Sequence, residues 1–265
     1  MPGARLLLRG EPIASPNPLI RAVLFDKDGT LSISEPMLLA LAEARVLHGL
    51  RLLQTHHPEL GQAGCDELNQ LLRRAYGLDH SGVNPAGTTA VASRLHNLIS
   101  TATALAQLGL GWPEALTIAE EVFARTDGLH GQGSEHRPQA SVGLHSLVEA
   151  LAAAGLRCAV ISNDDSAGIR AFLGNQNLAE HFQACWSADH VPRKPDPDAV
   201  HALCRMLGIP AQECALIGDA NSDLHMARSA GVPVVLGYTA GWSRRPPLDS
   251  SFLQLHHWSE LSLSA

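Results

Sequence analysis

The chain has 265 residues, 45% of them hydrophobic and 17% charged, with a formal net charge of −7. This length gives one to two domains and a core large enough to be stable without staples. The acidic balance argues against a nucleic-acid surface, so any attraction of an anionic ligand must come from a local basic funnel.

In chain order, residues 1–20 are proline-rich and poorly periodic, an N-terminal arm that lies along the core as an extra strand or stays loose. Leu6-Leu7-Leu8 is too short between Arg5 and Arg9 for a signal-peptide core, and no run reaches transmembrane length, so the expected location is the cytoplasm. The apolar run Ala22-Val23-Leu24-Phe25 then reads as a buried strand that delivers Asp26 and Asp28 before breaking at Gly29. From Ser34 to Glu135 the patterns are helical: Pro36 to Leu53, Cys65 to Tyr76, Gly87 to Leu108 and Pro113 to Arg125, with no strand between them. The Gly-rich return Gly128-Leu129-His130-Gly131-Gln132-Gly133 reads as a hinge or as ordinary loop composition. Beyond it the chain repeats βα units. Val142 to Ala154 is a helix, Arg157 to Ile161 a strand, Asp165 to Leu173 a helix and Ala184 to Trp186 a short strand. Asp198 to Leu207, Cys214 to Ile217, Ala220 to Ala230 and Val232 to Leu236 continue a parallel three-layer arrangement, and the tail from Phe252 to Leu261 adds a strand and a short helix.

Four segments carry chemistry, each where a strand gives way to a loop. In Asp26-Lys27-Asp28-Gly29-Thr30, alternation puts both acids on one side of an extended segment, Lys27 points away from them, and Gly29 permits a sharp turn. Carboxylates are hard ligands suited to Mg²⁺, and a second acid nearby can be protonated or ionised according to its neighbours. Taken alone, the segment reads equally well as a strand ending in an Asp-Gly turn. Three further segments decide between these. Val160-Ile161-Ser162-Asn163 ends a strand in a hydroxyl and an amide; Arg193-Lys194-Pro195-Asp196-Pro197 is a proline-framed loop carrying one ammonium into a helix start; and Ile217-Gly218-Asp219 leads to Asp223. In an open parallel sheet ligands bind outside the carboxyl ends of the strands, so all four would converge on one pocket.

These four motifs, in this order, resemble the haloacid dehalogenase (HAD) superfamily, specifically its helical-capped phosphatases of the phosphoglycolate phosphatase-like type. The match covers about residues 20–34 and 137–240. The resemblance implies an α/β, three-layer, Rossmannoid core of residues 21–33 and 137–265, with an inserted all-helical cap of residues 34–136. It further implies Asp26 as the nucleophile of an aspartyl-phosphate intermediate, Asp28 as general acid and base, and Thr30, Ser162 and Asn163 as holders of the phosphoryl oxygens. Lys194 would neutralise nucleophile and phosphate, Asp219 would bind Mg²⁺ beside Asp26 and the Asp28 carbonyl, and Asp223 would support the metal's water or Lys194. The implied activity is Mg²⁺-dependent hydrolysis of a small phosphorylated metabolite by a monomer or homodimer with no nucleic-acid or membrane partner. A phosphomutase and a catalytically silent binding protein are the alternatives. In one departure from the pattern, Ile33 stands where an Asp commonly follows, which alters the entrance to the cap and takes weight from phosphoglycolate as the substrate.

Composition adds that the chain has 17 arginines and two lysines, and both lysines, Lys27 and Lys194, lie within these motifs. Five cysteines (Cys65, Cys158, Cys185, Cys204, Cys214) form no Cys-x-x-Cys pair and read as reduced, buried thiols. The adjacent pairs His56-His57 and His256-His257 lack metal-ligand spacing. Arg73, Arg74, Arg94 and His96 read as a solvated helix face or as contacts to an anionic substrate group, and Asp164 and Asp165 as helix caps.

Overall fold

Ala22 and Leu24 pack into one core cluster and Val23 and Phe25 into another, and all four are shut off from solvent. A strand buried on both faces has no use for polar alternation, which is why this run is apolar throughout. In the computed structural model, whose described residues are 3–130 and 137–264, it forms β1 (Ala22–Phe25) of a six-stranded sheet. The others are β2 (Arg157–Ile161), β3 (Phe182–Trp186), β4 (Cys214–Gly218), β5 (Val234–Tyr238) and β6 (Leu253–Leu255). They run in the order β6-β5-β4-β1-β2-β3 with every pairing parallel. Helices Leu144–Ala153 and Ser166–Asn175 cover one face through Val148, Leu151, Ile169 and Phe172. Helices Pro197–Leu207 and Asn221–Ser229 cover the other through Val200, Leu203, Met226 and Ala227. This is a three-layer α/β core.

Strand order reverses at β1, with β2 and β3 on one side and β4 to β6 on the other. Phe25 lies opposite Val160 of β2 and Ile217 of β4, so the residues that follow these three strands emerge at one edge. Such a switch point leaves a crevice between loops that diverge to opposite faces.

The chain divides into two compact units, Met1–Ile33 with Gln139–Ala265, and Ser34–Pro138. In the first, Arg5–Leu8 pairs antiparallel with Leu261–Ser264 and with Glu11–Pro12, and Leu6 and Leu8 join the core. The tail therefore supplies a second strand beyond the one expected, with the 3₁₀ turn Trp258–Glu260 between them. The second unit carries helices Glu35–His56, Gly61–Tyr76, Thr88–Val91, Arg94–Gln107 and Trp112–Thr126. The single helix expected over Gly87 to Leu108 is two, because Ala92 is extended and Ser93 caps the second by accepting from the His96 N–H at 3.3 Å. Leu78–Asp79 and Gly82–Val83 form a short hairpin where no strand was expected. Its turn is fixed by the Asp79 carboxylate, which accepts from the Ser81 N–H at 2.8 Å; two-residue strands are too short to show alternation. Of the Gly128–Gly133 return, residues 131–133 lie outside the described residues.

Behind β1, Trp258 stacks on Tyr238 with centroids 4.2 Å apart, meets Phe25 edge-on at 6.0 Å, and donates its N–H to Ser141 Oγ at 2.7 Å. Trp258→Ala should destabilise the protein by about 3–5 kcal/mol, since a fully buried indole leaves a cavity that a rigid sheet cannot close. Trp258→Phe should cost less. Denaturant unfolding of the two variants checks the ranking.

Candidate active site

Asp26 is the first residue past β1, and its N–H continues the ladder by donating to Ile217 O at 2.9 Å, which fixes it at the sheet edge. The chain then turns: Gly29 N–H donates to Ser32 O at 2.9 Å and Ser32 N–H to Lys27 O at 2.9 Å. Gly29 has φ of 80°, and a Cβ there would overlap the Trp242 indole and the Asp219 carboxylate, so no other residue fits.

Lys194, from the loop ahead of Pro197–Leu207, reaches the same edge. Its Nζ donates to Asp26 Oδ1 at 2.6 Å and Ile161 O at 3.2 Å, and pairs with Asp223 Oδ1 at 2.8 Å. Asp26, Asp219 and Asp223 are all buried, and each offers a carboxylate oxygen within 4.8 Å of the others. Asp219 Oδ1 accepts from Thr30 Oγ1 at 3.0 Å and Oδ2 from Trp242 Nε1 at 2.6 Å. Ser162 is buried at the end of β2, where its Oγ accepts from the Asp164 N–H at 3.1 Å, and Asn163 follows it in the same loop.

The side chain of Asp28 does not join the three acids. It turns to Lys27 Nζ at 2.7 Å and Ser32 Oγ at 3.3 Å, leaving its backbone carbonyl as the group that the family resemblance assigns to a metal. Nor does Lys27 point away from both motif acids, as alternation suggested. Its Nζ is buried between Asp28 Oδ1 and Asp164 Oδ2, at 2.7 and 2.9 Å. The period-2 argument holds only for extended backbone, and here the turn starts at Lys27 itself. Thr30 aims its hydroxyl at Asp219 instead of into an open cradle. Asp165 does cap its helix, accepting from the Gly168 N–H at 2.6 Å, whereas Asp164 serves Lys27. In the second unit Arg73 is forked onto Glu43 at 2.9 and 2.6 Å, and Arg94 pairs with Asp127 at 2.6 Å. Cys185 is partly exposed, so not every thiol is buried as expected.

The electrostatics follow from burial. Burial pushes the Asp26 carboxyl up from 3.8 to about 6, against the pull of Lys194. Burial, with Asp26 and Asp223 alongside, pushes Asp219 well above the usual carboxylate range, despite the hydrogen bonds from Trp242 and Thr30. Burial works to lower Lys194, but the carboxylates of Asp223 and Asp26 outweigh it and hold the ammonium above its ordinary value. Three buried carboxyl groups against one ammonium put more acid than base in a site closed to solvent. A cluster of hard oxygen donors with that imbalance fits a divalent cation.

Trp242 was not foreseen from the sequence. The available signal was its position, four residues beyond the C-terminal end of β5, on the side of the sheet where ligands bind.

A model of the haloacid dehalogenase-like hydrolase family matches residues 20–231. A phosphoglycolate phosphatase of Rhodospirillum rubrum is 38% identical over 105 residues, a match covering 39% of this chain and 43% of that protein. A phosphoglycolate phosphatase of Pseudomonas putida is 27% identical over 248 residues, covering 89% of this chain and 75% of the relative. Among solved structures, a predicted phosphoglycolate phosphatase from Haemophilus somnus superposes with a TM-score of 0.61 at 17% identity, over 91% of this chain and 96% of that one; this likeness is one of fold.

The fold and its acid-lined edge define a three-layer α/β protein with a candidate site at the ends of parallel strands. The chain belongs to the haloacid dehalogenase-like hydrolase family.

Removing the ammonium tests the charge balance. Lys194→Met should cost about 3–5 kcal/mol by leaving buried carboxylates without their counter-ion. The folded Asp26 carboxyl titrates at about 6 and the unfolded one at 3.8, so the stability it contributes is complete below 3.8 and is lost as pH rises through 6. Without Lys194 that folded value rises further. The deficit of the variant, read by urea unfolding, should therefore shrink as the pH is lowered from about 7 to about 4.5.

Proposed function

We propose that the protein hydrolyses a small phosphate monoester in a Mg²⁺-dependent reaction, through an aspartyl phosphate on Asp26. The observation that carries this reading is the Asp26 carboxylate, gripped by Lys194 at 2.6 Å inside a cluster of acids that includes Asp219. A carboxylate cannot approach a phosphate dianion unless positive charge intervenes. Bound Mg²⁺, held by Asp26, Asp219 and the Asp28 carbonyl, would supply charge stabilisation at the phosphoryl oxygens.

The protein's own groups do the rest. Asp26 attacks phosphorus, and the bond from phosphorus to the leaving alkoxide breaks as Asp28, which for this step takes up a proton and turns from Lys27 to the leaving group, gives that oxygen its proton. Asp28, now ionised, takes a proton from water as the water oxygen attacks phosphorus, and the bond to Asp26 breaks to release phosphate. Lys194 neutralises Asp26 and a phosphoryl oxygen, while Ser162, Asn163 and the Thr30 turn hold the others by hydrogen bonds. Asp223 keeps Lys194 in place. The helical unit, residues 34–136, acts in this proposal as the cap that reads the leaving group and excludes water. Phosphoglycolate heads the substrates to assay because the curated relatives carry that name. The location proposed for it is the cytoplasm.

Purified protein should hydrolyse a generic aryl phosphate with Mg²⁺, lose activity in chelator, and be inhibited by Ca²⁺, whose looser coordination misplaces the nucleophile. Turnover that persists in chelator rules out the metal assignment. A panel of phosphate monoesters then ranks substrates.

The two acids should separate by kind of defect. Asp26→Asn should abolish turnover. Asp28→Asn should keep fold and cation binding but slow turnover by ~10²- to 10⁴-fold, the usual loss for a general acid and base. Lys194→Arg should lose on the order of 10²- to 10³-fold in kcat, because a planar fork cannot occupy a point-charge position between two buried carboxylates. Near wild-type kcat in Asp26→Asn would exclude covalent catalysis through that residue.

A further inference from the structure

Asp219 is held by two donors from distant parts of the chain: the Thr30 hydroxyl on Oδ1 at 3.0 Å and the Trp242 indole N–H on Oδ2 at 2.6 Å. The indole lies on the loop after β5 and is buried. Two features hold it there. Gly241 packs so closely on the Gly29 carbonyl that a Cβ at Gly241 would overlap Gly29 O, so the loop rests directly on the turn that follows Asp26. Farther along, Asn221 clamps the same loop, donating from Nδ2 to Pro247 O at 3.0 Å and accepting at Oδ1 from the Asp249 N–H at 2.7 Å. Asn221 opens the helix that carries Asp223, so both ends of the clamp are tied to the acid cluster.

A carboxylate has about four lone-pair sites, so one donor on each oxygen leaves a further site on each. The two hydrogen bonds fix the plane of the Asp219 carboxylate while leaving it able to ligate. We propose that Trp242 is a positioning residue for the cation site: its indole N–H holds Asp219 in the orientation that binds a divalent cation beside Asp26. This rests on the metal reading given under the proposed function. Outer donors to a ligating carboxylate set its orientation, and losing one typically costs about 10- to 100-fold in metal affinity.

Mn²⁺ binding to the full-length protein, measured by the electron paramagnetic resonance of the free ion and by calorimetry, tests this without reference to turnover. Trp242→Phe should weaken Mn²⁺ by about 10- to 100-fold. Benzothienylalanine incorporated at position 242 keeps the shape of the indole with sulfur in place of N–H, and should weaken Mn²⁺ similarly even if Trp242→Phe fails to fold. In an Asp219→Asn background Trp242→Phe should bring no further loss, because the two residues act as one unit. Unchanged or tighter Mn²⁺ binding in the N–H-free variants overturns the proposal, tighter binding meaning that the indole competes with the cation for Oδ2. An equal loss in the Asp219→Asn background also overturns it, since Trp242 would then act through the fold. Wild-type Mn²⁺ affinity that Asp219→Asn leaves untouched overturns the metal reading and this proposal together, whereas Asp219-dependent binding indifferent to Trp242 overturns this proposal alone.

Discussion

One ammonium shared by two buried carboxylates is the constraint on which the site depends. Lys194 Nζ meets Asp26 at 2.6 Å and Asp223 at 2.8 Å, and is steadied by the Ile161 carbonyl at 3.2 Å. Withdrawing a carboxylate or an ammonium from water costs several kcal/mol per ion, so this arrangement persists only because each charge finds a partner at hydrogen-bond distance. It ties the end of β1, the end of β2, the loop before Pro197 and the helix after β4 to a single atom. Asp219 stands outside that grip and, among the described residues, takes neutral donors, Thr30 and Trp242. The cluster is therefore stable enough to form yet short of positive charge on its Asp219 side, which is the condition for a cation site.

The second lysine builds a separate ion cluster. Lys27 is adjacent to Asp26 in the chain, yet its Nζ sits between Asp28 and Asp164. Burial works against its charge, but the two carboxylates hold the ammonium above its ordinary value. Asp28 is thus held apart from Asp26 by a cation of its own, which limits repulsion between two acids two residues apart. A chain otherwise reliant on arginine has placed its two compact ammoniums where a planar guanidinium would need more room.

Much of this was legible in the sequence, for physical reasons. The strand Arg157–Ile161 has the bounds that its apolar run predicts, and Asp26, Ser162 and Asp219 follow strand ends because a polar residue closing a doubly buried run has only the sheet edge to occupy. Lys194 was legible because prolines frame its loop. Other features were hidden. The direction of Lys27 depends on where extended backbone stops, which alternation cannot locate. The break at Ala92 and Ser93 interrupts a helical pattern that is apolar on both sides of it. The hairpin at Leu78–Val83 is too short for any period. Trp242 meets Asp219 across 23 residues, through a packing of glycine on glycine that no local pattern records.

The site is assembled from segments that the sequence keeps apart, so its geometry inherits the rigidity of the sheet. Asp26 follows Phe25, whose ring is held edge-on by Phe182 at 5.9 Å and Trp258 at 6.0 Å. Trp258 stacks in turn on Tyr238, the last residue of β5, from which the loop bearing Trp242 departs. One aromatic cluster beneath the sheet edge thus braces both the residue that meets Lys194 and the loop that meets Asp219. Interiors are packed too densely to absorb a shift at one member without moving the others. A cavity opened beneath Phe25 would therefore be felt as a change in carboxylate spacing, and for groups bound at 2.6 Å even a small displacement weakens the contact. Core packing and site chemistry therefore meet in this chain at one end of β1, where Phe25 hands over to Asp26.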